Sequence, residues 1–175
     1  MKSFLFTAPL LAFLLIATPA AAQEVPGFEL SAGYSFTPEP SSFIDSLSDG
    51  ETRHGWYASA LANLNDVFGV EFLGDGSYGS TSSTSEDISI HGLMVGPRFS
   101  YRETSGIAPF GRALVGVVHR NVADTSDSYL SGQIGGGITL YTGDHFGITT
   151  GADYRRSVRG LKWDDFVVYA GFSFR

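Results

Sequence analysis

The chain closes on Asp165-Phe166-Val167-Val168-Tyr169-Ala170-Gly171-Phe172-Ser173-Phe174-Arg175. Taken two at a time, one face carries Phe166, Val168, Ala170, Phe172 and Phe174, and the other Asp165, Val167, Tyr169, Gly171 and Ser173. A period of two sends alternate side chains to opposite faces of a strand. A chain end normally frays in water, so an aromatic-rich face there calls for a partner. Pairing of this strand with the first one, with its apolar face turned to lipid, supplies that partner, because a closed barrel leaves no unpaired edge in a membrane.

Working outward, the same alternation recurs in seven earlier segments. Phe28 to Phe36 sets Phe28, Leu30, Ala32, Tyr34 and Phe36 against Glu29, Ser31, Gly33 and Ser35. Gly55 to Leu64 turns Trp56, Ala58, Ala60 and Ala62 outward, although Tyr57 and Leu61 on the other face are apolar too. Phe68, Val70 and Phe72 oppose Glu71, Leu73 and Asp75 in the third segment. In the fourth, Leu93, Val95, Pro97, Phe99 and Tyr101 oppose Met94, Gly96, Arg98 and Ser100. Proline removes a ladder donor, so a local bulge is expected at Pro97. Segments five to seven follow around Arg112, Gln133 and Asp153, all on polar faces.

The connections alternate in length. Pro38–Arg53, Gly79–Asp87, Asn121–Ser128 and Arg155–Trp163 are long and polar, while Asn65-Asp66, Glu103 to Gly106 and Thr142 to Asp144 are tight. Short turns on one side and long loops on the other are the layout of an outer-membrane barrel. The expected fold is therefore all-β: an eight-stranded antiparallel up-and-down transmembrane β-barrel spanning residues 23–175. A soluble barrel with its apolar face inside shows the same alternation. Three features favour the outward arrangement: a small, glycine-rich polar face suited to a crowded interior, aromatics gathered near strand ends, and aromatics on the closing strand.

Residues 1–22 are read as a signal peptide. Lys2 is the positive start, Leu5 to Ala17 the apolar run, and Ala20-Ala21-Ala22 a small-residue cleavage site. Without Lys2, ten basic face eighteen acidic side chains, which argues against nucleic acid as a partner. The absence of cysteine removes disulfides and thiolate chemistry from consideration.

Several motifs carry a family resemblance. Gly55-Trp56, Ala58-Ser59, Asn65, Gly69, Glu71 and Gly96-Pro97-Arg98-Phe99 resemble the OmpA-like outer-membrane β-barrel domain, a porin-family small barrel. Pro109-Phe110, Ala113-Leu114, Gly135-Gly136-Gly137 and Asp153-Tyr154 continue the likeness. The resemblance implies the outer membrane of a Gram-negative bacterium as location. It also implies outer-membrane lipid, including lipopolysaccharide, and the barrel-assembly machinery as partners. Phe172 and Phe174 match the aromatic end that serves such barrels as an insertion signal, with Arg175 as a departure. The wall-tethering role of two-domain members is not carried over.

The charges expected to face inward are Glu71, Asp75, Arg98, Arg112 and Asp153. Buried charges are costly unless paired, so they are read as one lumen network, with Glu71 and Arg98 as a direct or one-residue-offset cross-strand pair. His54, His91, His119 and His145 show no ligand spacing, and no metal or cofactor is expected. An outer-wall lipid enzyme needs a serine beside a histidine with an orienting carboxylate. Around His119 the chain reads Arg120-Asn121, with no serine nearby in strand phase, so no enzymatic activity is expected. The expected role is structural or surface interaction through four external loops that meet host or cell-surface ligands, around a plugged polar interior. The alternatives are a weak diffusion pore and then an outer-leaflet lipid-modifying enzyme.

Overall fold

The computed structural model describes residues 27–38, 52–80, 87–102, 106–122, 125–159 and 164–175. The expected signal peptide (1–22) and most of the first and second long links lie outside the described residues.

Eight strands follow in chain order: β1 Phe28–Thr37, β2 Arg53–Asn63, β3 Phe68–Ser80, β4 Asp87–Ser100, β5 Ile107–Val122, β6 Thr125–Tyr141, β7 Phe146–Arg159 and β8 Asp164–Phe174. Each pairs antiparallel with the next, and β1 pairs with β8 from Leu30↔Phe174 to Phe36↔Val168, closing the barrel. The closing stretch therefore finds its partner in the first strand.

The period of two decides what each strand buries. Leu30, Phe72, Leu93, Val115, Ile134 and Phe172 point outward and are exposed, whereas Ser31, Glu71, Arg112, Gln133 and Asp153 point into the lumen and are buried. In β2, Trp56 is 44 % exposed and Tyr57 only 4 %, so the facing ambiguity resolves with Trp56 outward. Tyr57 and Leu61 fill space inside. Gly135 shows how crowded that space is: a Cβ there would stand 1.9 Å from Asp153 Oδ1.

Two expectations about β structure are corrected. Pro97 causes no bulge. It still pairs with Val70, and β4–β5 keeps one register on both sides of Gly96-Pro97, where ladder partners are simply missing. The lost donor interrupts the ladder locally without adding a residue. The register shift lies instead between Leu130 and Ser131 in the β6–β7 ladder.

The loop boundaries change as well. Asn121–Ser128 is mostly strand, since β5 runs to Val122 and β6 begins at Thr125, with Val122 opposite Thr125. Arg53, Gly79, Ser80, Asp87 and Arg155 to Arg159 likewise belong to strands. A tilted strand crosses a bilayer in about 9–11 residues. β1, β2 and β8 have 10, 11 and 11, but β5 and β6 have 16 and 17. Polar composition near the β5–β6 link reads as loop, yet a hairpin rising past the bilayer also needs water-compatible side chains. We call that side of the barrel the loop end, and the side with the tight connections the turn end.

At the turn end, Asn65 Oδ1 accepts from the Val67 and Phe68 N–H groups at 3.0 and 2.8 Å, a side chain completing a tight turn. Arg175 is not free there. Its N–H donates to His145 O at 3.1 Å, its Nε to Asp144 O at 2.8 Å, and its guanidinium lies 3.9 Å from the centre of the Tyr141 ring.

Candidate functional site: the lumen and the outer wall

The lumen charges form tiers along the barrel axis. Nearest the turn end, Glu29 is a hub. Its Oε1 accepts from Arg102 Nη2 at 2.6 Å and Asn63 Nδ2 at 2.8 Å, and its Oε2 from the Tyr141 hydroxyl at 2.6 Å. Arg102 also donates to Asp66 O and Asn63 Oδ1, both at 2.8 Å, tying the tier to the β2–β3 turn. Beside it a hydroxyl row, Thr139–Thr149–Ser173–Ser31, runs across β6, β7, β8 and β1 with spacings of 2.8, 2.5 and 2.7 Å. That row crosses the closing seam.

The middle tier contains Glu71, Asp75, Arg98, Arg112 and Asp153, all buried. Arg112 is its centre: Nη1 lies 2.7 Å from Glu71 Oε1, and Nη2 and Nε lie 2.5 and 3.2 Å from the two oxygens of Asp153. Such two-pronged guanidinium–carboxylate contacts are among the strongest polar contacts in proteins. Gln133 extends the chain, donating to Asp153 Oδ2 at 2.8 Å and accepting from Arg155 Nε at 2.8 Å; Arg155 then donates to Asp75 Oδ2 at 2.8 Å.

Glu71 and Arg98 approach each other, but not in the direct or one-residue-offset register expected. Glu71 stands opposite Gly96, and Arg98 opposite Gly69, a diagonal offset of two residues. Their closest approach is 3.7 Å, against 2.7 Å for Glu71 and Arg112. Arg98 instead lies 3.7 Å over the Phe110 ring. Asp75 serves Arg155, not Arg112.

At the loop end Arg53 pairs with Asp165, both buried. Among the described residues the lumen thus pairs five arginines (53, 98, 102, 112, 155) with five carboxylates (29, 71, 75, 153, 165). The five members beyond the sequence expectation escaped for different reasons. Glu29 and Asp165 sit on the polar phase of their strands, and Arg102 continues the phase of Arg98 and Ser100. Arg53 and Arg155 stand at the edges of polar links, where period gives no signal.

The interior is also less polar than expected. Ile88, Ile90, Met94, Leu114 and Val118 face inward from β4 and β5 toward the loop end and are nearly inaccessible. Tyr57 and Tyr169 meet edge to face at 5.0 Å, with Arg112 4.7 Å from the Tyr169 ring. Glu71 Oε2, Asp75 Oδ1 and both of these tyrosine hydroxyls lack a hydrogen-bond partner among the described residues. No group of three ligating side chains that could hold a metal occurs among the described residues.

Outside, register brings scattered histidines together. His91 stands opposite His119, and His54 opposite Tyr78, all outward and toward the loop end, while His145 lies in the β6–β7 turn. His119 Nδ1 lies 2.9 Å from Ser128 Oγ and its Nε2 3.0 Å from Ser126 Oγ. This corrects the expectation that His119 has no serine near it: the contact crosses from β5 to β6, where strand phase along one segment is blind. Among the described residues, no carboxylate is a hydrogen-bond partner of His119. The expected insertion residues Phe172 and Phe174 face outward against Phe146, with ring centres 5.5 and 5.4 Å away.

Residues 8–174 match the family model described as "Outer membrane protein beta-barrel domain". No curated protein matches the chain significantly in sequence. Among solved structures, neisserial surface protein A superposes with a TM-score of 0.63 at 16 % identity, covering 85 % of this chain and 96 % of that one. OprG of Pseudomonas aeruginosa gives 0.58 at 14 % identity, covering 84 % and 94 %. Ail, the attachment invasion locus protein of Yersinia pestis, gives 0.52 at 19 % identity, covering 85 % and 99 %. Ail also has a structure in complex with the heparin analogue sucrose octasulfate, similar to this chain with a TM-score of 0.54 at 18 % identity and covering 84 % and 97 %. At these identities the likeness speaks for the fold.

Proposed function

The chain belongs to the outer membrane protein β-barrel domain family and is an outer-membrane protein, and from that premise we propose that it is a plugged barrel acting in surface interaction. The observation that carries this reading is the charge-balanced lumen, five guanidiniums against five carboxylates in successive tiers. An ion crossing it has to break buried pairs, each costly to separate in a narrow, weakly solvated space. What remains available to partners is the loop end: the β1–β2, β3–β4 and β7–β8 links and the β5–β6 hairpin that rises above the bilayer. Phe172 and Phe174 serve the assembly machinery as the insertion signal.

The sulfated ligand of Ail supports small barrels of this shape as surface binders. It does not transfer as such, because this chain carries a formal net charge of −7. The oxygens of Glu71 and Asp75 that lack a partner among the described residues favour a second reading, a weak pore whose pairs rearrange transiently. Planar-bilayer conductance of the refolded chain separates the two. Absence of single-channel steps fits the plug; steps that change ion selectivity in an Asp153→Asn variant fit the pore.

A further inference from the structure

The outer wall carries a groove of about 810 Å³ across β1 to β5, in the size range of sites that hold small ligands. Ala32, Ala58, Ala60 and Gly74 make its small-residue lining, and Leu93 and Val117 its bulkier one. Two residues along each of these strands, on the same outward face, a different row begins. It runs through cross-strand partners: Tyr34↔Trp56, Trp56↔Gly76, Gly76↔His91, His91↔His119 and His119↔Ser128. Groove and row are thus two adjacent lines of one surface, the first apolar and the second rich in N–H and O–H groups.

The row has a focus. A Cβ on Gly76 would stand 2.7 Å from Trp56 Nε1 and 2.9 Å from His91 Nδ1, so only glycine lets these two nitrogens converge over the backbone. His119 with its two serine hydroxyls continues the row on the loop-end side. No carboxylate belongs to it.

We infer that this surface seats one phosphate-bearing lipid, its acyl chain in the groove and its phosphate on the Trp56–His91–His119 row. The occupant follows from position and chemistry. The groove faces the hydrocarbon of the membrane, and the row lies on its loop-end border, where lipid headgroups meet water. An anionic oxygen suits a convergence of donors among row residues none of which is a carboxylate. The inference goes beyond the surface-interaction reading and does not depend on it.

The test is native mass spectrometry of the refolded chain in detergent, titrated with dioleoyl phosphatidylglycerol, with dioleoylglycerol and inorganic phosphate as separate arms. The expected result is one phosphatidylglycerol per barrel, with both other ligands weaker. Trp56→Phe combined with His91→Ala and His119→Ala should lower phosphatidylglycerol affinity about fivefold or more, the equivalent of at least one net hydrogen bond. Gly74→Phe should lower it too by filling the groove; a Cβ at Gly74 meets only Leu93 Cδ2, at 3.6 Å, so the barrel tolerates the start of that side chain. Unchanged strand circular dichroism shows that each variant folds. Equal binding of dioleoylglycerol, or phosphatidylglycerol affinity indifferent to the row variant or to Gly74→Phe, overturns the inference. A lipid-free dimer abolished by Gly74→Phe also overturns it, assigning the groove to a second copy of the chain.

Discussion

Arg112 and Asp153, forty-one residues apart and on strands separated by β6, meet inside the lumen through two parallel contacts of 2.5 and 3.2 Å. The same guanidinium reaches Glu71 on β3 at 2.7 Å. One side chain on β5 therefore ties together strands two positions away on either side, which no backbone ladder does.

Arg112→Ala should accordingly be among the most destabilising single changes in the lumen. It leaves Asp153 with Gln133 alone and Glu71 with only the 3.7 Å approach of Arg98, and breaking such buried pairs costs about 3–5 kcal/mol. Urea unfolding of the refolded barrel checks this, with Arg98→Ala as comparison. The loss should be smaller for Arg98, whose carboxylate contact is 3.7 Å. A double-mutant cycle should give stronger coupling for Glu71 with Arg112 than for Glu71 with Arg98.

Glu29→Ala should not behave as a mild change near a strand end. Its carboxylate joins Arg102, Asn63 and Tyr141 from three other parts of the chain. Loss of stability to urea comparable to that of Glu71→Ala is expected. A loss below about 1 kcal/mol, the worth of one net hydrogen bond, would mean that water replaces those contacts easily.

Phe174→Ala should reduce insertion more than deletion of Arg175 does, measured as folded protein recovered in outer membranes. Phe174 pairs with Leu30 across the closing seam and packs on Phe146. Arg175 deletion should still lower stability by about 1–2 kcal/mol, since hydrogen bonds of a charged group to the 143–145 turn disappear.

Orientation is tested with single cysteines in this cysteine-free chain. Ser126 is exposed at the loop end, and Gly143, exposed at the turn end, has nothing within 4 Å of a built Cβ. In intact cells an impermeant thiol reagent should label Ser126→Cys and spare Gly143→Cys. The opposite pattern means that the barrel sits inverted.

Much of the architecture was legible in the sequence because facing is a local property. A strand residue points opposite to its neighbour whatever the rest of the chain does. Phe166 to Phe174, Leu30 to Tyr34 and Glu71 to Asp75 thus declare their faces one by one, and the number of such segments with the length of their links yields a closed barrel. Phase alone also sent Arg98, Arg112 and Asp153 inward.

Which partners those side chains take was decided only in three dimensions. Antiparallel strands are staggered as the sheet closes, and the stagger accumulates from strand to strand. It moved Arg98 two residues off Glu71, delivered Asp153 to Arg112, and set His119 between serines of the next strand. Arg53 and Arg155 joined the lumen because β2 begins at Arg53 and β7 runs on to Arg159, bounds fixed by pairing in the ladder and not by composition. Alternation along one strand carries no record of those offsets, so the sequence by itself determined the faces while the closed sheet determined the contacts.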